Sequence, residues 1–139
     1  MSADYPSMTT AEIRSKFLNF FEERGLKLYP SSSLVPDDPS LLLANAGMNQ
    51  FKEYYQGKKT MKEIGAISCQ KCVRTNDIDC IGEDGRHLSF FEMLGDFSFG
   101  GVSKEQACAW AFELITKEFK LPLDRLYFTV FTAVSYTHL

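Results

Sequence analysis

Apolar residues recur along the chain at two spacings, helical and alternating, and these divide it into elements. Thr9-Thr10-Ala11-Glu12 carries a capping box, with Thr9 as N-cap and Glu12 three residues on. Ile13, Phe17, Phe20 and Phe21 then share one face, and Gly25 stands as the stop, so a helix is predicted over 10–24. Leu26 to Tyr29 alternates as a short strand before Pro30, and Ser31 to Pro39 is a loop rich in Ser, Pro and Asp. Leu41 to Ala44 is a short buried run, strand or helix. Met48 to Gln56 reads as a helix with Phe51, Tyr54 and Tyr55 on its apolar side. Ala66 to Arg74 is a predicted strand, Asn76 to Gly85 a polar loop, and His87 to Leu94 a second strand. Segments 66–74 and 86–94 would therefore pair as an antiparallel hairpin, with Gly95 to Gly101 as a turn. A second capped helix is predicted over 104–119, with Ser103 as N-cap and Gln106 completing the box. Ala107, Trp110, Ala111, Leu114, Ile115 and Phe119 form its stripe, Leu121-Pro122 ends it, and Leu126 to Phe131 is the last strand. Helices and strands interleaved around a hairpin make the class α+β, a largely antiparallel sheet flanked by helices.

Composition narrows the function classes. With 139 residues, one domain is the default. A hydrophobic share of 45% and an aromatic share of 14% exclude a disordered chain. A net charge of −3 without charge blocks excludes a basic DNA-coating protein and a polybasic membrane binder. Apolar runs fall far short of the ~18 residues of a membrane span. Met1 to Pro6 lacks the basic and apolar segments of a secretory signal, so the expected compartment is the cytoplasm and the four cysteines are expected as thiols.

Three sets of residues invite a chemical reading. Cys69, Cys72, Cys80 and His87 imitate a zinc site with three Cys and one His. In a strand, positions 69 and 72 point to opposite faces, so no metal is expected and packed or idle thiols are the plainer reading. Asp96-Phe97-Ser98-Phe99-Gly100 looks superficially like the metal-binding Asp-Phe-Gly of kinases. The extra Ser and the missing glycine-rich loop argue instead for two alternating core aromatics followed by a glycine turn. The hairpin is more informative. Arg74 ends one arm, and Arg86, His87, Phe90 and Phe91 lie on the other. An arginine there grips phosphate through charge-assisted bonds, and an aromatic ring stacks on a base. On residue types alone, a solvated surface arginine remains the common alternative.

Several blocks, in order and spacing, resemble the start of the bacterial alanyl-tRNA synthetases. They are Ala11-Glu12-Ile13-Arg14 with Phe17 to Phe21, Ser31-Ser32-Ser33-Leu34-Val35-Pro36, and Asn45-Ala46-Gly47-Met48-Asn49-Gln50-Phe51-Lys52. Gln70-Lys71-Cys72-Val73-Arg74, Phe90-Phe91-Glu92-Met93-Leu94-Gly95 and Phe97-Ser98-Phe99-Gly100 continue the series. The resemblance covers roughly residues 8 to 132. It implies the N-terminal part of a class II synthetase catalytic domain over 1–132, with 133–139 an unmatched tail.

By that resemblance, residues 66–94 correspond to the family's second signature motif, the hairpin that holds ATP. Arg74 matches the arginine on the α-phosphate. Phe90 or Phe91 matches the aromatic that stacks on adenine. Phe90 is preferred, because it would share a strand face with Arg86 and with Leu88, whose position the family uses for ATP. Where relatives carry a His-His pair, this sequence reads His87-Leu88, and its loop 75–85 lacks their Gly-Gly-Lys insertion. The implied ATP-binding set is Arg74, Arg86, Leu88 and Phe90, with Arg74 also catalytic. The implied reaction joins alanine to tRNA(Ala) through an alanyl-adenylate, with ATP and Mg2+. The alanine pocket, the acceptor-stem readers and the family's zinc fall outside this segment. A non-catalytic nucleotide- or tRNA-binding module on the same fold is the alternative; the presence of Arg74 favours the enzyme.

Overall fold

The computed structural model describes residues 7–76 and 78–129. Helix α1 spans Thr10–Glu22. Its capping box is complete: the Glu12 N–H donates to Thr9 Oγ1 at 3.2 Å, and the Thr9 N–H donates to Glu12 Oε2 at 2.7 Å. The helix ends just before Gly25, whose φ of +87° turns the chain away. Strand β1, Lys27–Leu28, then runs parallel to β2, Gly65–Val73, which pairs antiparallel with β3, Phe90–Ser98. The order β1-β2-β3 makes a mixed three-stranded sheet with helices against it, and the class is α+β as expected.

Beyond Leu28 the chain keeps to the same edge of β2 without strand geometry. Tyr29 N–H donates to Ile67 O at 2.9 Å, Lys71 N–H to Ser31 Oγ at 3.1 Å, and Val73 N–H to Ala44 O at 2.9 Å. These bonds satisfy an edge that would otherwise be open. They also correct the reading of 41–44, which is neither strand nor helix. Ala44 is buried as an edge partner, whereas Leu42 points into solvent. The predicted helix 48–56 is a 3-10 turn, Gly47–Phe51, followed by one α turn, α2, Lys52–Tyr55. Phe51 is fully buried there and Tyr55 is half exposed.

Two further boundaries differ from expectation. Strand β3 begins at Phe90, not His87, because Asp84 takes the backbone first. Its Oδ1 accepts the Arg86 N–H at 2.9 Å and the His87 N–H at 3.0 Å, an Asx-type turn that competes with strand pairing. Segment 95–98 is strand rather than turn. Gly95 lies within it because the Phe97 ring leans over that position: a Cβ there would sit 2.6 Å from Phe97 Cζ.

Helix α3, Lys104–Glu113, is capped by Ser103, whose Oγ accepts the Gln106 N–H at 3.2 Å. It continues as a wide π turn, Leu114–Glu118. That turn rotates the apolar stripe: Leu114 is buried, Trp110, Ile115 and Phe119 are partly buried, and Ala107 and Ala111 are exposed. Residues 126–129 are not strand, and the rest of the predicted last strand and the 133–139 tail lie outside the described residues.

The main core joins Phe17, Phe20 and Phe21 of α1 to Leu26, Ile67 and Leu114, with Leu94 and Trp110 packed beside them. Each buried Phe contributes about 1.5–3 kcal/mol of transfer free energy. Arg24 closes the rim, with its guanidinium 3.4 Å from the centre of the Phe20 ring and an ion pair to Glu113 at 2.9 Å. A second aromatic cluster gathers Tyr29, Tyr54, Phe97 and Phe99 around Phe51.

Candidate functional site

Side chains alternate along a strand, so the β2–β3 register assigns every residue to a face. Ile67 and Cys69 share a face with Leu94 and Glu92, and α1 covers it. Ala66, Ser68, Gln70 and Cys72 share the other with Phe97, Gly95, Met93 and Phe91. On this second face lie the loop after β1 and the turn 47–51.

Arg74 follows β2 directly. Its N–H donates to Ser89 O at 2.8 Å, extending the hairpin by one bond. Its side chain stays on the second face: Nε donates to Asn45 O at 2.9 Å, and the guanidinium carbon lies 5.2 Å from the centre of the Phe91 ring. The Asn45 bond uses one of five N–H donors and sets the plane of the other four. An exposed, oriented fork of this kind matches a phosphate.

Register separates the two phenylalanines by face. Phe91 opposes Cys72 on the face of Arg74, whereas Phe90 opposes Val73 on the other face. The reason for preferring Phe90 fails because Arg86 and Leu88 precede the strand and share no strand face with it. Both stand exposed in the loop that Asp84 organises. Among the described residues, no hydrogen bond or ring contact joins Arg86 or Leu88 to Arg74 or Phe91.

The support beneath Arg74 comes from residues to which the sequence reading gave no role. Gln70 is a fully buried amide in the middle of β2. Its Oε1 accepts the Ser32 N–H at 2.8 Å, the Ser32 hydroxyl at 3.1 Å and Gln50 Nε2 at 3.1 Å. Its Nε2 donates to Ser32 O at 3.1 Å and to Lys71 O at 2.8 Å. Asn49 Nδ2 donates to Asn45 Oδ1 at 3.1 Å, and the Gly47 N–H meets Met93 Sδ at 3.2 Å. A signal was available: an amide at the centre of a strand face of otherwise small side chains needs partners, since burying it unpaired costs roughly 1–3 kcal/mol.

Other candidates fall elsewhere. Cys69 sits beside Arg14 and Glu92 on the α1 face, and Cys72 is buried on the site face; burial pushes both thiols up. Cys80 is exposed in the loop. Among the described residues no three His, Cys, Asp or Glu side chains gather to hold a metal ion. Phe97 and Phe99 pack on Phe51, 4.9 Å and 5.9 Å between ring centres, as core aromatics. On the α1 face, Arg14 Nη2 donates to Glu92 Oε2 at 2.6 Å, and that bond holds the Glu92 carboxyl below its ordinary value.

Comparison with known proteins bears on this geometry. Residues 12–135 match the family described as tRNA synthetases class II (A). Over 119 residues the chain is 56% identical to a chloroplastic/mitochondrial alanine–tRNA ligase of Sorghum bicolor, covering 86% of the chain and 12% of that relative. It is 51% identical over 131 residues to the alanine–tRNA ligase of a Synechocystis species, covering 94% of the chain and 15% of the relative. An alanine–tRNA ligase of Pseudothermotoga lettingae is 52% identical over 124 residues, 89% of the chain and 14% of the relative. The chain thus spans only 12–15% of the length of these relatives.

Proposed function

Because this chain belongs to the class II tRNA synthetases, we propose that it forms the ATP-facing hairpin of an enzyme that attaches alanine to tRNA(Ala) in two steps. The observation that carries this reading is the Arg74 guanidinium, oriented by the Asn45 carbonyl on the face that also presents Phe91.

In the proposed first step, the carboxylate of L-alanine attacks the α-phosphorus of ATP. The bond to the bridging oxygen breaks, and pyrophosphate leaves with that electron pair. An α-carboxyl with a pKa of about 3.5 is already ionised at neutral pH, so no general base is required. The protein must position the reactants and neutralise charge. Arg74 donates to the α-phosphate oxygens, where charge develops, and Phe91 offers its ring to adenine. Mg2+ is held by one or two carboxylates together with nucleotide phosphates, so its proposed place is on the phosphates of ATP rather than in a cage of this chain's residues. In the second step a hydroxyl of the terminal ribose of tRNA(Ala) attacks the alanyl carbonyl of the adenylate, the bond to the phosphate oxygen breaks, and AMP leaves. The proposed compartment is the cytoplasm; among the described residues no helix is long and apolar enough to cross a membrane.

The test is Arg74→Ala in a full-length ligase carrying this segment. Alanine-dependent exchange of pyrophosphate into ATP should fall about 10²- to 10³-fold, the loss expected for one preorganised donor at about 2.7–4 kcal/mol. Near-normal exchange would defeat the assignment. The 139-residue chain alone is expected to form no alanyl-adenylate, since Arg74 and Phe91 address only the α-phosphate and one face of the base.

A further inference from the structure

We propose that Gln70 is a positioning residue for Arg74, acting through a relay of hydrogen bonds that ends on the Asn45 carbonyl. The inference rests on the assignment of Arg74 to ATP and concerns what holds that arginine in place.

The relay alternates hydrogen bonds with covalent links of the turn 47–51 and of Asn45 itself. The Gln70 amide accepts Gln50 Nε2, and Gln50 belongs to the turn 47–51. The neighbouring Asn49 bonds back to the Asn45 side chain, and the Asn45 main-chain oxygen accepts Arg74 Nε. The same amide clasps Ser32 through its N–H, its hydroxyl and its carbonyl. The loop carrying Ser32 accepts the Ala44 N–H at Leu34 O, 2.8 Å, one residue before Asn45. Asn45 is therefore held from both sides by segments that converge on one buried side chain. Every donor and acceptor of that side chain is occupied, with three bonds into Oε1 and two from Nε2. A fully satisfied buried amide has one favourable orientation, so it fixes register as well as contributing stability.

The second face of the hairpin needs such a device. Its segments 29–46 have no strand or helix of their own; main-chain bonds tie Tyr29 and Ala44 to β2, and the Gln70 amide holds the stretch between them. Gln70→Met keeps the length and removes every bond. The Asn45 carbonyl then loses its fixed place, the Arg74 fork rotates away from the phosphate, and the turnover of bound substrates falls.

The experiment uses the full-length ligase with four proteins: wild type, Gln70→Met, Arg74→Ala and the double variant. Pyrophosphate exchange is measured per active site, titrated by the burst of adenylate, so that loss of folded protein does not count as loss of rate. Gln70→Met should lower kcat by about 10- to 100-fold, the scale of a misplaced reacting group. In the Arg74→Ala background it should lower kcat by less than about twofold, since the group it positions is absent. An equal loss in both backgrounds overturns the proposal while leaving the role of Arg74 intact, and so does an unchanged kcat in Gln70→Met. A normal rate in Arg74→Ala defeats the underlying assignment instead. If Gln70→Met does not fold, Gln50→Met cuts the same relay from its less buried end. It should show a smaller loss that again disappears without Arg74, and an unaltered rate overturns the proposal.

Discussion

The two faces of the β2–β3 hairpin are built from the same eighteen residues, yet they are closed in different ways. On one, Ile67 and Leu94 meet the three phenylalanines of α1, and the contact is apolar. On the other, the buried Gln70 amide holds an irregular segment beside the packed rings of Phe51 and Phe97. Apolar packing is non-directional and tolerates small shifts, whereas an amide network has a single geometry. The first face can keep the hairpin folded without defining where any one atom lies. The second also buries Phe51 against Phe97, and in addition it places a guanidinium. Apolar packing thus stabilises both faces, while the two-residue period of the strand confines the guanidinium to one of them.

That separation predicts different responses to substitution. The largest is on the packed face. Phe21 is 3% exposed and makes ring contacts with Phe17, Phe20 and Trp110. Phe21→Ala should cost about 3–5 kcal/mol of stability, read as a lowered unfolding midpoint. If the folded fraction of that variant activates alanine normally, the faces are separate; a collapse of kcat per active site would join them. On the site face, Phe91→Ala should raise the ATP KM by about 5- to 150-fold, corresponding to about 1–3 kcal/mol of base stacking. Phe90→Ala should change it by less than about twofold. A larger effect from Phe90 would reverse the assignment of faces.

The smallest effect concerns Arg14 and Glu92, which tie α1 to β3 at 2.6 Å. The Glu92 carboxyl is held below its ordinary value, first by the Arg14 bond. A depressed carboxylate contributes stability that is complete above its unfolded pKa of about 4.3 and is lost as the pH falls through the folded value. Glu92→Gln should therefore flatten the acid limb of the thermal-unfolding profile below about pH 4.3 and leave ATP binding unchanged. The shift is small because the pair is partly solvated. An unchanged acid limb would show that α1 is held by its phenylalanines alone.

Local signals made much of this legible. The capping box at Thr9 and the single cap at Ser103 pointed to the starts of α1 and α3, because a cap is a bond across three residues. The spacing of Phe17, Phe20 and Phe21 identified the packed face. Arg74 was found at the end of β2 because the strand pattern ends there. The boundary of β3 was hidden because the Asp84 carboxylate competes for backbone N–H groups that a strand pattern assigns to pairing. That one displacement also hid that Phe91 shares the face of Arg74, since a face can be assigned only once the register is known. The Gln70 network was out of reach for another reason: its partners Ser32 and Gln50 lie 38 and 20 positions away. No window along the sequence brings them together.

The late start of β3 has a consequence for how this hairpin can change. Arg74 and Phe91 are brought together by register, and register is set lower down, where Gly95 opposes Ser68 beneath the Phe97 ring. Above the Arg74–Ser89 bond, the described residues of the connection pair with neither strand. Loop-closure entropy grows only logarithmically, so doubling the length of such a connection costs roughly 0.6 kcal/mol. Residues can therefore be inserted or removed between Thr75 and Asp84 without moving the guanidinium relative to the ring. The tip is free to vary in length and composition while the base of the hairpin keeps guanidinium and ring together.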